Sequence, residues 1–249
     1  KASTLPGPIY WSKIAAYKYV ISKASQKAKK IIAVSNSTRG EIIDHLKMDP
    51  KKIEVTHEAV DDKTIEKATK PKNIKFEKYF LFVGNVYPHK NADTLVKAFE
   101  SINQSDIGLI FVGKEDYFYK RLKQEVVSNK NIQFLNYVSD SELAWLYQNA
   151  TATVCPALME GFGLPALEAM ASRCVVIASD IPALHEVCKD NAIYFNPKNS
   201  RELSEKMKEV LNNKEKFKSL IDNGYKRSQE FSWRKMSEQT LKIYESAIK

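Results

Sequence analysis

Along this chain, short uncharged apolar runs alternate with stretches in which apolar residues recur every three or four positions. The runs have the length of buried strands, and the periodic stretches have the spacing of helices with one inward face. Residues 9–30 place Ile9, Ile14, Tyr17, Val20, Ile21, Ala24 and Ala28 on one stripe, with lysines on the other faces, which predicts a helix. IIAVS (31–35) predicts a buried strand, Ser35, Asn36 and Ser37 supply a cap for a helix over 37–47, and IEVTH (53–57) predicts a second strand. A strand–helix–strand unit this short predicts part of a parallel sheet.

Residues 58–78 break the pattern. They are polar, rich in Lys and Glu, and contain Pro71, which sets a boundary near Ala59–Asp62 and a connection to about Lys78. From Tyr79 the rhythm returns. Strands are predicted over 79–84, 107–113, 132–138, 150–155, 175–180 and 193–195. Helices are predicted over 91–101, 119–128, 139–150, 164–172, 200–212, 214–230 and 234–248. Ser139 and Glu142 form an S-x-x-E capping box at the start of one of them. The fold class is therefore α/β, with a Rossmann-like doubly wound parallel sheet covered on both faces, and ligands in such sheets bind at the carboxyl ends of the strands.

Composition sharpens this in three ways. With 249 residues, 43% of them hydrophobic, the chain has enough apolar side chains for a packed core, and no uncharged run is long enough to span a bilayer. The first residue is Lys1, with no readable leader, which suggests a chain that begins inside a longer protein. The net charge of +9 is concentrated at one end: residues 1–52 hold eleven Lys and Arg against three Asp and Glu. That end suits an anionic partner, a nucleic acid or a membrane surface. No aromatic–basic repeat or recognition motif supports nucleic acid, so none is expected. Cys155, Cys174 and Cys188 make no C-x-x-C pair and the four histidines no H-x-x-x-H pair, so no disulfide, zinc site or other metal is expected, in keeping with a cytoplasmic protein.

Candidate chemistry is concentrated in EGFGLPALEAMASRCVVIASD (160–180). A loop with Gly161 and Gly163 opens a helix directly after a buried strand, and Pro165 fits the first helical turn. The N–H groups at 163–166 and the positive helix end form an anion site suited to a phosphate. Glu160 and Glu168 bracket the helix start, where carboxylates can accept hydrogen bonds from sugar hydroxyls. GFGLPA also matches G-x-G-x-x-A, with Asp180 at the spacing of a dinucleotide fingerprint. Three features oppose that reading: PALME (156–160) intervenes between strand and first Gly, Pro165 stands where a pyrophosphate must be wrapped, and the unit is the fourth strand–helix of its domain.

EGFGLPALEAMA resembles the E-x7-E signature of retaining glycosyltransferases of the GT-B fold, glycosyltransferase family 4 (group 1). FVGNVYPHKNADTLVKAF resembles the first strand and phosphate loop of that family's donor domain, and LNYVSDSELAWLYQNA its base-binding strand and following helix. IASDIPALHEV and FSWRKMSEQTLKIYESA are similar to its later segments. The resemblance covers about 53–249 well, and IIAVSNSTRGEII fits the end of the family's acceptor domain. It implies an incomplete N-terminal Rossmann-like portion over 1–58, an interdomain connection over 59–78, a nucleotide-sugar donor domain over 79–232, and a helix over 233–249 crossing back to the first domain.

Roles follow from the same resemblance. Lys90 would face the nucleotide diphosphate and Glu160 the donor-sugar hydroxyls, as the two catalytic residues. Gly84, Asn85, Gly161, Phe162, Gly163 and Leu164 would complete the phosphate and sugar site. Glu168 would hold the ribose, and Tyr137 and Val138 would line the base. The family often carries Arg where Asn85 stands, and His89 or Lys114 is the nearest substitute; a subgroup with P-x-K-N in this loop also lacks the Arg. No D-x-D triplet occurs, so no metal and no cofactor beyond the donor is expected. The implied reaction moves a hexose, mannose being favoured by the P-x-K-N loop, from a nucleoside diphosphate sugar to a glycan or lipid-linked acceptor. The alternative is a donor-binding module without full catalysis. The basic helix 9–30 would then dock on the anionic cytoplasmic face of a membrane, or be a solvated lysine face.

Overall fold

In the computed structural model, residues 7–61 and 67–248 are described. The expected connection 59–78 therefore lies partly outside the described residues. In chain order the elements are α1 (Gly7–Lys27), β1 (Ile31–Ala33), α2 (Asn36–Leu46), β2 (Ile53–Val55), β3 (Lys78–Val83), α3 (Ala92–Glu100), β4 (Ile107–Val112), α4 (Tyr117–Glu125), β5 (Ile132–Leu135), α5 (Asp140–Asn149), β6 (Ala152–Cys155), α6 (Leu164–Ala171), β7 (Val176–Ser179), α7 (Pro182–Cys188), β8 (Ile193–Phe195), α8 (Ser200–Asn212), α9 (Lys218–Ser228) and α10 (Trp233–Ile248). They form two compact units: the described residues up to His57 together with those from Arg234 onward, and Glu58–Trp233.

In the smaller unit β1 and β2 pair in parallel, Ile31 opposite Ile53. Ser35 caps α2 by accepting from the Thr38 N–H at 2.9 Å. Arg39 Nε donates to the Ile53 carbonyl at 3.1 Å, fastening the helix to the strand. Ala33 and Ile53 are buried. The helix α1 forms as its period predicts, but no residue of it is buried, and Ile9, Trp11, Tyr17 and Val20 are exposed. An apolar stripe specifies which face a helix can bury; it does not supply what covers that face.

In the larger unit six parallel strands lie in the order β5-β4-β3-β6-β7-β8. Counted from β3 this is 3-2-1-4-5-6, the doubly wound order whose topological switch lies between its first and fourth strands. All six positions of β4 are buried, as expected of a strand covered on both faces. The core packs Phe80, Phe82, Leu109 and Phe111 of the sheet against Leu95 and Phe99 of α3 and Leu203 and Met207 of α8. At the carboxyl edge Gly113 has no room for a side chain: a Cβ there would stand 2.1 Å from the Gly84 carbonyl oxygen.

Several expected elements change at their ends. β5 stops at Leu135, so Tyr137 and Val138 lie in the loop after it and not in a strand. The apolar pattern runs on past the last residue that pairs with β4. Residues 214–230 divide into a 3-10 turn, Lys214–Phe217, and α9. The seven-residue α7 was too short to show a period in the sequence. The capping box at Ser139 and Glu142 forms with both of its reciprocal bonds.

Candidate active site

The chain leaves β3 through Gly84–Tyr87 and enters a single 3-10 turn, Pro88–Lys90. Asn91 follows in the left-handed region at φ 60°, which an Asn adopts more readily than most residues. Its Nδ2 donates to the carbonyls of Pro156 at 2.9 Å and Pro197 at 2.7 Å, and its Oδ1 accepts from Thr94 at 2.7 Å. The Leu158 N–H donates to the His89 carbonyl at 2.8 Å. These bonds tie the loop after β3 to the loop after β6, the two flanks of the switch point. Across it, Lys90 Nζ meets both carboxylate oxygens of Glu160, at 2.7 and 2.8 Å. Both side chains are largely shielded, Glu160 at 13% and Lys90 at 22% exposure, so each charge depends on the other.

The loop continues into α6 through Gly163, which caps the helix at φ 107°, a conformation that strains any residue with a Cβ. A Cβ there would also lie 2.8 Å from Leu184 Cδ2. The expected row of amides at 163–166 is shorter than the spacing suggested. Pro165 has no N–H, and the Ala166 N–H donates to the Gly163 carbonyl at 3.0 Å. Gly163 and Leu164 keep their amides at the helix start. Phe162 is buried, its ring edge-on to Phe231 at 5.6 Å.

One turn into α6, Glu168 lines a cavity of about 250 Å³ with Asp140, Leu143, Tyr147, Leu164 and Trp233. The Tyr147 hydroxyl donates to Glu168 Oε2 at 2.7 Å. Burial pushes the Glu168 carboxyl above the usual carboxylate range; the Tyr147 bond opposes this shift and the Asp140 charge adds to it. Burial, reinforced by the Glu168 charge, holds the Tyr147 phenol far above its ordinary value, so it keeps its proton and remains a donor.

The other expected residues are more dispersed. No hydrogen bond or ion pair among the described residues joins Glu168 to Lys90 or Glu160. Asn85 reaches the β3 loop with its Oδ1 buried and without a partner among the described residues, an acceptor that a ligand N–H or O–H could satisfy. His89 does not replace the cation that Asn85 lacks: burial and the adjoining Lys90 lower its pKa, so it is neutral at pH 7. Tyr137 is 90% exposed and Val138 half-buried, on the loop after β5. Among the described residues no group of three or more His, Cys, Asp or Glu could hold a metal ion, and no helix is long and apolar enough to cross a membrane. Two structural contributors escaped sequence reasoning. Tyr147 reads as one more apolar position of α5, and the double bond of Asn91 reaches carbonyls 65 and 106 residues away.

Comparison with known proteins places this geometry in context. The O-antigen chain mannosyltransferase RfbU of Salmonella typhimurium is 34% identical over 198 residues, which is 78% of this chain and 54% of RfbU. The chain thus spans about half the length of that relative. A sucrose-phosphate synthase from Thermosynechococcus elongatus superposes with a TM-score of 0.79 at 22% identity, covering 94% of this chain and 62% of that one. Anabaena HepE, solved in complex with UDP-glucose, superposes with a TM-score of 0.79 at 19% identity, covering 92% of this chain and 67% of that one. The fold is of the GT-B type, and the model of the family described as glycosyl transferases group 1 matches residues 63–227. By that match and by the RfbU identity, the chain belongs to the glycosyl transferases group 1 family.

Proposed function

We propose that Glu58–Trp233 binds a nucleoside diphosphate sugar, and that the protein transfers the hexose, mannose by preference, to a glycan or lipid-linked hydroxyl with retention at the anomeric carbon. One observation carries this: Lys90 and Glu160 meet across the topological switch, beside the start of α6. Until a donor arrives the two charges satisfy each other. A diphosphate then competes with Glu160 for the Lys90 ammonium, and the released carboxylate accepts from sugar hydroxyls. The amides of Gly161–Leu164 and the helix end receive phosphate or sugar oxygens. Glu168 accepts from the ribose hydroxyls, Asn85 contributes its unpaired carbonyl, and the loop at Tyr137 and Val138 borders the base.

In the transfer itself the bond between the anomeric carbon and the leaving phosphate oxygen breaks, and the acceptor oxygen bonds to that carbon on the same face. The acceptor proton passes to the leaving phosphate. Lys90 stabilises the charge that grows on that phosphate, so positioning and electrostatics supply the catalysis without a covalent nucleophile or metal. Mannose is favoured by the similarity to RfbU, and a nucleoside diphosphate by the similarity to HepE, solved with UDP-glucose. The domain assignment proposed is 1–58 acceptor side, 59–78 connection, 79–232 donor side and 233–249 return helix.

A thermal-shift screen of GDP, UDP, ADP, dTDP and their sugars tests the reading, because a ligand that binds only the folded state raises the melting temperature. One nucleotide series is expected to stand out, and Lys90→Ala and Glu168→Ala are each expected to weaken it. Unchanged affinity in both variants would remove the site assignment. A second reading, donor binding without transfer, rests on Asn85 standing where the family often carries an Arg. Nucleotide binding with no sugar transfer to any acceptor would select it.

A further inference from the structure

We propose that Tyr147 is a positioning residue for nucleotide binding: its phenol holds one oxygen of the Glu168 carboxylate so that the other is presented, ionised, to the ribose hydroxyls. This rests on the donor-site reading above and extends it to a residue on another helix.

The geometry is specific. Tyr147 sits on α5, Glu168 on α6, and a single bond of 2.7 Å joins the hydroxyl to Oε2. Tyr147 is 2% exposed, so its ring is fixed by packing and its hydroxyl has little freedom to point elsewhere. Glu168 Oε1 makes no hydrogen bond among the described residues, and Glu168 lines the cavity. An ionised carboxylate only accepts hydrogen bonds, so one oxygen engaged by the phenol leaves the other for a diol.

Charge makes the phenol necessary. Asp140 on α5 and Asp61 on the segment before β3 line the same cavity, and no Lys or Arg lines it. The titratable groups acting on Tyr147 besides Glu168 are the thiols of Cys155 and Cys174, from β6 and the turn after α6. Nothing cationic in the cavity therefore keeps Glu168 ionised; burial and Asp140 both favour its protonation, and the Tyr147 bond is what opposes them. A protonated Glu168 would offer one acceptor less and one donor more to the ribose.

The test is the pH profile of nucleotide affinity. UDP and GDP are titrated calorimetrically against wild type, Tyr147→Phe and Glu168→Gln between about pH 5 and pH 8, a span that brackets a raised carboxyl pKa. Wild type is expected to lose affinity as pH falls through the raised pKa of Glu168. Tyr147→Phe keeps the ring and its packing but removes the donor, so Glu168 protonates at higher pH. Its acid limb is expected to move to higher pH, with affinity on that limb up to about tenfold below wild type and the difference closing as pH rises above it. Glu168→Gln is expected to bind weakly with no such limb. A Tyr147→Phe profile parallel to wild type, or identical to it, overturns the proposal. Glu168→Gln with wild-type affinity overturns both the proposal and the ribose role; weakened Glu168→Gln with unaltered Tyr147→Phe overturns the proposal alone. Should Tyr147→Phe fail to fold, the phenol-carbon resonance of Tyr147 in labelled wild type decides. A resonance that moves as Glu168 titrates and again when UDP or GDP binds supports the proposal, and one unmoved by either change overturns it.

Discussion

The two units of this protein use the same parallel strand–helix–strand grammar with opposite results. In Glu58–Trp233 the strands sit under helices on both faces, and whole side chains such as Leu81, Leu95, Phe111 and Leu146 are inaccessible. In the smaller unit the pair β1–β2 buries Ala33 and Ile53, while neither α1 nor α10 contains a buried residue. Equal apolar periodicity therefore does not mean equal burial. Sheet strands define their own two faces, whereas a lone helix stripe depends on what is laid against it.

The strongest way to break the comparison is to remove core volume from each side. Leu81→Ala in the centre of the large sheet is expected to cost about 2–5 kcal/mol in urea denaturation, because it deletes buried atoms and leaves a cavity. Tyr17→Ala on α1 is expected to stay within about 0.5 kcal/mol. A comparable loss from Tyr17→Ala would show that this face is covered in solution.

A second test separates function from fold within the large unit. Lys90→Ala is expected to lower sugar transfer about 100-fold or more by removing the cation on the leaving phosphate. It also leaves Glu160 shielded and unpaired, at a stability cost of about 1–3 kcal/mol. The double variant Lys90→Ala/Glu160→Ala is expected to regain that stability and none of the transfer. Recovered transfer would remove Lys90 from the chemistry.

Smaller again is the effect of Glu168 on stability. Its folded-state pKa is raised, so the native state holds a proton where the unfolded chain does not, and stability falls as pH rises through that interval. Glu168→Gln removes the charge and can still accept from Tyr147. Its melting temperature is expected to exceed that of wild type near pH 7, with the difference vanishing below about pH 4, where both forms are neutral. Small as well is Glu54→Gln in the minor unit: its pair with Lys30 is partly exposed, and its loss is expected to cost less than about 1 kcal/mol in urea denaturation.

Most strand runs were legible because they are short, nearly free of charge and followed by a turn signal, as at Gly84 and Gly113. The helix start at Leu164 was legible from Gly163 and Pro165, whose backbone limits are local. The unread parts are those fixed by tertiary partners. The stripe on α1 predicted the helix, Gly7–Lys27, and carries no information on what covers it. Tyr137 and Val138 continued an apolar pattern beyond the last paired residue of β5. The bond from Tyr147 to Glu168 crosses between helices and leaves no mark in either segment.

The double anchor of Asn91 makes one side chain the clasp of three strand ends. Its amide joins the loop after β3 to carbonyls after β6, the strand beside it, and after β8, at the far edge of the sheet. The Lys90–Glu160 pair, set on the same two loops, thereby takes its register from a neighbouring amide that carries no charge.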